Sequence, residues 1–174
     1  FNSEMIRDTT LSFNEIHTLG QGQLSDMGCV YVWGGNQSGL LVNNNLCHNV
    51  SSFSYGGWGL HNVQTTTSVT HTNNIIYDTE DACYHDHEGY NVTLRNNIFV
   101  KLGKTAAPHS DGTLRSATPT STWHAAFNMH GNIITSTGPA PLFTAGSDLQ
   151  WALSTFDDNV YWVDGDATDS KLFP

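Results

Sequence analysis

A short unit of alternating polar and aliphatic positions recurs along the chain. It consists of Asn, one or two further residues, an aliphatic residue and often His, Tyr or Trp. The unit reads Asn14-Glu-Ile16-His17, Asn44-Asn-Leu46-Cys-His48, Asn73-Asn-Ile75-Ile-Tyr77, Asn96-Asn-Ile98-Phe99, Asn132-Ile133-Ile134 and Asp158-Asn159-Val160-Tyr161-Trp162. The aliphatic positions Ile16, Leu46, Ile75, Ile98, Ile133 and Val160 are 30, 29, 23, 35 and 27 residues apart, within the range of solenoid repeats. A second column keeps the same register: Gly28-Cys29-Val30-Tyr31, Trp58-Gly59-Leu60-His61 and Ala82-Cys83-Tyr84-His85 lie over one another. These read as short strands between Gly-rich turns, each with one face toward a stacked apolar interior and the other toward solvent or ligand. The recurring Asn has a structural task, because stacked amide side chains hydrogen-bond from one coil to the next. Six units predict an all-β parallel β-helix of about six coils, a rod about 25 to 30 Å long at the spacing of neighbouring strands.

One such domain accounts for residues 1–174. The stretch 103–122, with Pro108, Pro119 and many Ser and Thr, predicts a long loop between coils, either a functional lid or a solvated connection. No amphipathic cap is visible before Thr10 or after Lys171, so the stack is expected either to be a piece of a longer helix or to associate end to end with neighbours.

Composition narrows the partners. The 174 residues carry 16 Asp and Glu against 6 Lys and Arg, a net charge of -10, with only 13% charged residues. That usage suits neither a helical bundle nor a coiled coil. Without a Lys/Arg patch, nucleic acid and anionic membrane surfaces are poor partners, whereas uncharged or cationic ligands stay open. No stretch approaches the roughly 18 apolar residues of a membrane span. The chain begins with Phe, as a processed or excised polypeptide does, and a secreted, extracellular location is expected. Sequons at Asn36, Asn49 and Asn91 permit glycosylation on a eukaryotic secretory route. Cys29, Cys47 and Cys83 are odd in number and lack C-x-x-C spacing, so buried thiols are expected rather than a disulfide or a zinc site. No metal or other cofactor is expected.

Four blocks carry a resemblance: Asn14 through Gly28 with Leu24-Ser-Asp-Met-Gly28 inside it, Tyr55-Gly-Gly-Trp-Gly-Leu60, His85-Asp-His87 followed by Arg95-Asn-Asn-Ile-Phe99, and Phe156-Asp-Asp-Asn-Val-Tyr-Trp162. In this order they resemble secreted right-handed parallel β-helix proteins of the pectate-lyase-like solenoid class, and among them the glycoside hydrolase family 141-like group, which includes fucosidase and xylanase activities. The resemblance implies the C-terminal part of such a helix acting on polysaccharide. It places one catalytic acid at Asp26 and a second acidic pair just after the Gly-Gly-Trp-Gly block. Here Val63 and Gln64 stand at that pair, and neither can serve as acid, base or carboxylate nucleophile. The implied activity is therefore weakened or lost, unless the next coil supplies the second carboxylate. Overlaying His61 on His85 sets Glu88 over Gln64 and Asp86 over Asn62, so Asp26 with Glu88 or Asp86 is the candidate pair, with His85 and His87 as proton carriers.

Each candidate has a plainer reading. Asp26 is either that acid or a turn anchor. His85, His87 and Glu88 are either a proton-handling cluster or, less in keeping with their number, metal ligands. Trp33, Trp58, His61, Tyr55 and Tyr84 beside Gly-rich turns are candidates for sugar binding or for packing, and Arg115 for closing over a ligand. Trp123, Trp151 and Trp162 are expected to pack between coils. Three functions follow from these residues: a carbohydrate-active, glycoside-hydrolase-like protein; a structural or self-assembling module that has lost the second acid; and, third, a polysaccharide lyase.

Overall fold

A computed structural model describes residues 6–102, 114–117, 126–137, 141–145 and 154–164. Those residues contain no helix and seventeen strands, numbered here along the chain. One sheet, A, runs in the spatial order β1 (Thr10–Ser12), β4 (Leu41–Asn43), β7 (Thr70–Thr72), β10 (Val92–Arg95), β13 (Phe127–His130), β16 (Thr155–Asp157). Sheet B is β2 (Glu15–Leu19), β5 (Leu46–Val50), β8 (Ile75–Tyr77), β11 (Ile98–Lys101), β14 (Ile133–Ser136), β17 (Val160–Val163). Sheet C is β3 (Met27–Trp33), β6 (Gly57–Val63), β9 (Tyr84–His87), β12 (Leu114–Ala117), β15 (Phe143–Ala145). From β1 to β14 each strand pairs in parallel with the strand three further on, the connectivity of a parallel β-solenoid. No helix of the described residues is long and apolar enough to cross a membrane.

The corner between sheets A and B shows why Asn recurs. Asn14, Asn45, Asn74, Asn97, Asn132 and Asn159 stack, and each Nδ2 donates to the Oδ1 of the next at 2.9, 3.0, 3.0, 3.1 and 2.9 Å. The same Oδ1 atoms accept the backbone N–H of the preceding member. The other Nδ2 hydrogen goes to a sheet A carbonyl, as from Asn97 to His71 and from Asn132 to Leu94. The residue before each ladder Asn turns the corner in the left-handed region: Phe13, Asn44, Asn73, Asn96, Gly131 and Asp158 all have φ between 52° and 66°. Asn, Asp and Gly tolerate that conformation best, which accounts for the repeated Asn-Asn and Asp-Asn pairs. The first member bends the chain and the second bonds the stack.

Because the ladder Asn points inward, the next residue points out and the one after it points in. The expected aliphatic column is corrected accordingly. Ile16 pairs with Cys47, not Leu46, and belongs to the inner column of Cys47, Ile76, Phe99, Ile134 and Tyr161. Leu46, Ile75, Ile98, Ile133 and Val160 line up with Glu15 on the outer face, where Ile75, Ile133 and Val160 are exposed. Trp162 is exposed on that face too, against the expectation that it packs between coils. The interior is filled by Val42, Leu94 and Met129 from sheet A, Ile76, Phe99 and Ile134 from sheet B, and Leu60, Tyr84, Leu114 and Phe143 from sheet C.

Two further expectations change. Within the stretch 103–122, Leu114–Ala117 is a strand of sheet C, pairing with β9 and β15; the remainder lies outside the described residues, as do Trp123 and Trp151. Cys29 and Cys47 form a disulfide, with Cα atoms 6.1 Å apart, and Cys83 is free and buried. No local spacing signals that bond, because the two cysteines meet only when β3 and β5 fold back on each other across the interior.

Candidate functional site

The outer face of sheet C carries a groove of about 700 Å³ lined by Asp26, Tyr31, Trp33, Tyr55, Trp58, His61, Val63, Gln64, His85 and His87. Strand alternation builds its floor. Tyr31, His61 and His85 form one outward column, while Trp33, Val63 and His87 form the next. The inward columns between them hold Val30, Leu60 and Tyr84, then Val32, Asn62 and Asp86.

Along its floor the imidazoles of His61 and His85 stack, with centroids 4.6 Å apart and planes 3° off parallel, and His87 continues the row 6.1 Å from His85. Trp58 packs against both, 4.1 Å from His61 and 4.3 Å from His85, and is itself only 4% exposed. It supports the histidines rather than presenting a free ring. The accessible aromatic faces belong to Trp33 at 69%, Tyr55 at 49% and Tyr31 at 43% exposure. The Trp33 indole N–H is held by Gln64 Oε1 at 3.3 Å, and the edge of Tyr31 meets His61 at 4.6 Å. Partial burial, followed by the nearby Asp26 charge, raises the Tyr31 phenol above its ordinary pKa.

Asp26 enters from the turn before β3, in the left-handed region at φ 54°. Two backbone bonds fix it to the next repeat: its N–H donates to Tyr55 O at 3.0 Å, and Met27 N–H donates to Gly56 O at 2.7 Å. Gly56 is required there, since at φ 75° a Cβ would lie 2.7 Å from Asp26 Cα. The exposed Asp26 carboxylate reaches 3.9 Å from His61 Nε2. From the opposite side, Asp81 Oδ2 accepts the N–H groups of Gly56 and Gly57. The Thr79–Asp81 turn is in turn clasped by buried Lys101, whose ammonium donates to the carbonyls of Thr79, Glu80 and Asp81. The platform under the groove is thus tied across several repeats.

The candidates divide between this face and the interior. Asp26, Trp33, Trp58, His61, His85 and His87 line one groove. Tyr84 and Asp86 point inward, Glu88 is buried, and none of the three lines the groove. Arg115 pairs in register with His85 through the backbone, and its side chain lies outside the described residues, as do His109 and Asp111. Tyr31 is not among the sequence candidates for the site, although its place in the Gly28–Tyr31 column over His61 and His85 puts it on their face. The same alternation excludes Tyr84, the neighbour of His85. The sequon residues Asn36, Asn49 and Asn91 are exposed.

Behind the floor runs a buried polar chain. Asp86 Oδ2 accepts the Tyr84 hydroxyl at 3.0 Å, Tyr84 accepts Asn62 Nδ2 at 3.1 Å, and Asn62 Oδ1 accepts His71 Nε2–H at 3.3 Å. Burial pushes the Asp86 carboxyl up to about 7 and His71 down to about 3. Burial, then the charge of Asp86, raises the Tyr84 phenol well above its ordinary value. As for metals, among the described residues only His130, Asp157 and Asp158 bring three potential ligand atoms within 4.8 Å of one another, at the edge of sheet A and the corner after it, outside the groove. Comparison with protein-family models, with curated proteins and with solved structures finds no match to this chain.

Proposed function

We propose that the groove on sheet C binds an extracellular polysaccharide, and that the protein is a secreted right-handed parallel β-helix of about six coils. The observation that carries the reading is the row of exposed aromatic faces, Tyr31, Trp33 and Tyr55, beside the Asp26 carboxylate and a floor of imidazoles. Flat apolar rings suit the faces of sugars, and the carboxylate and imidazoles supply hydrogen bonds to hydroxyls. The net charge of -10 and a described lining without Lys or Arg favour neutral or amino sugars over uronates. The Leu24–Gly28 and Tyr55–Gly59 blocks, which carry the likeness to glycoside hydrolase family 141-like proteins, lie side by side in register, Met27 with Gly57 and Gly28 with Trp58. That adjacency supports the likeness. The Cys29–Cys47 disulfide suits an oxidising compartment and supports secretion.

Binding is favoured over hydrolysis because glycosidases generally need two carboxylates flanking the scissile bond, and Asp26 is the only carboxylate among the described groove residues. Hydrolysis is the second reading, favoured by the approach of Asp26 to His61. Both are tested with a panel of fucosylated glycans, xylan, chitosan and polygalacturonate, measuring retention by affinity electrophoresis and release of reducing sugar. Retention by neutral or amino polysaccharides, lost in Trp33→Ala with Tyr31→Ala, supports binding. Sugar release abolished in Asp26→Asn supports hydrolysis. Neither retention nor release from folded protein removes the carbohydrate reading.

A further inference from the structure

The groove on sheet C gathers its negative charge at one point. Asp26 is the single carboxylate of the described lining, which holds no Lys or Arg. Its side chain is 47% exposed, and the basic group beside it among the described residues is His61, whose Nε2 stands 3.9 Å away, beyond hydrogen-bond length. The carboxylate oxygens therefore keep accepting capacity for a ligand.

Aromatic rings converge on the same place. The Asp26 N–H donates to Tyr55 O, which sets Tyr55 beside it in the next repeat. Tyr31 lays its ring edge on His61, the imidazole that Asp26 also approaches. Trp58 joins the two sides, 6.4 Å from the Tyr55 ring and 4.1 Å from His61. Burial first, and then the charge of Asp26 and of Tyr55, raises the Tyr31 phenol, the response of a group in a negative field. Trp33 follows two residues after Tyr31 in β3, about 7 Å along the strand, with its face open.

A carboxylate among ring faces selects for one kind of charge. The face of an aromatic ring is the negative side of its quadrupole and attracts a cation, and the carboxylate adds a charge-assisted hydrogen bond. A uronate is repelled by both. A neutral hydroxyl gains neither the cation–π attraction nor the ion pair. The net charge of -10 acts in the same direction at longer range by drawing cations toward the surface.

We infer that the groove is specific for a glycan bearing free amino groups, with a protonated amine of the glycan seated on Asp26 beside Tyr31 and Tyr55 and the flat face of a neighbouring sugar on Trp33. This rests on the polysaccharide reading of the groove and narrows it from neutral or amino sugars to charged amino sugars. Asp26 is then the residue that sets specificity, and its backbone bonds to Tyr55 and from Met27 to Gly56 hold it in place for that task.

Calorimetric titration at pH 6 with short glucosamine oligomers, and with N-acetylglucosamine oligomers of the same length, tests this, since acetylation removes the charge and keeps the ring. The glucosamine oligomers are expected to bind about tenfold more tightly. Asp26→Asn removes the charge and keeps the left-handed backbone, which Asn tolerates. Folded by circular dichroism, it is expected to bind both oligomers alike, with the acetylated affinity changed by less than about twofold. Asp157→Asn with Asp158→Asn removes exposed charge outside the groove and is expected to keep the preference. Wild-type protein that binds the two oligomers equally, or binds only neutral glycans, overturns the inference and leaves the polysaccharide reading standing. A preference that survives Asp26→Asn, or that falls as far in the Asp157 and Asp158 variant, also overturns it, because the attraction then belongs to the whole surface. Spermine bound as tightly as the glucosamine oligomer overturns it too, since no sugar ring is then needed. Folded protein that binds no glycan, neutral or charged, removes the polysaccharide reading and the inference with it.

Discussion

Asp86 gives the sharpest energetic prediction. Its carboxyl is fully buried behind the groove, and burial raises its pKa from 3.8 to about 7 despite the bonds from Tyr84 and Gly89. A rise of about 3 pKa units corresponds to a penalty of about 4 kcal/mol for holding the ionised form in the fold. The sign follows from proton counting. Below the unfolded pKa both states are protonated and there is no penalty. Between about 4 and 7 the unfolded chain loses the proton while the folded chain keeps it, so stability falls as pH rises, and above the folded pKa the full penalty applies. The Asp86→Asn variant keeps the shape without the charge. Its amide would donate to Tyr84, turning the chain around so that Tyr84 donates to Asn62 Oδ1 and Asn62 Nδ2 donates to His71 Nε2. Every bond is conserved, and the neutral acid at low pH makes the same reversal. Urea unfolding followed by Trp fluorescence, for both proteins at several pH values, isolates the effect as a difference that cancels the other titrating groups. The variant is expected to match wild type near pH 4 and to exceed it by up to about 4 kcal/mol at pH 8. Parallel stability curves for the two proteins across that range would refute the reasoning, because they would mean that Asp86 ionises in the fold without cost.

The remaining predictions concern the scaffold. Replacing Cys29 and Cys47 together by Ala releases a bond spanning 18 residues, and the unfolding free energy should drop by roughly 3 kcal/mol on chain entropy alone, read from urea midpoints of oxidised protein. Asn97→Ala strands the Nδ2 and backbone N–H of Asn74 and the carbonyl of His71 in the interior. It should cost about 3 to 5 kcal/mol, against less than about 1.5 kcal/mol for Asn14→Ala at the exposed end, and equal costs for the two would contradict the ladder's role. Gly56→Ala forces a Cβ to within 2.7 Å of Asp26 Cα on a left-handed backbone, so thermal unfolding should shift down by the equivalent of at least about 2 kcal/mol, with weaker polysaccharide retention.

The repeat was legible because two physical needs recur at the same corner, and each selects Asn. One is a left-handed bend, as at Asn44, Asn73 and Asn96; the other is an inward amide, as at Asn45, Asn74 and Asn97. The first three strands of sheet C were legible to the residue, since His61 over His85 and Asn62 over Asp86 follow from matching the Gly-rich blocks, whereas its strand at Leu114–Ala117 fell in a stretch that read as loop. What failed was facing. An aliphatic residue after Asn looks like core, yet its position is decided by the inward amide before it, which sends Leu46, Ile75 and Ile133 outward. The same parity separates Tyr84, Asp86 and Glu88 from His85 and His87, so the acid segment reads as one site in the sequence and splits between two faces in the fold. The disulfide was invisible for a different reason, because a bond between neighbouring sheets leaves no local spacing behind.

Successive ladder residues are 31, 29, 23, 35 and 27 positions apart, although the strands between them keep one register. The variation in length is therefore shared between strands of 3 to 7 residues and the connections between them. The entropy of closing a loop grows only as the logarithm of its length, so lengthening a connection costs little. The 23-residue repeat from Asn74 to Asn97 serves as the compact unit, against 35 residues from Asn97 to Asn132. This solenoid can therefore accept grafted segments at its bends without retuning its core, a modular tolerance that a globular domain with a single shared interior lacks.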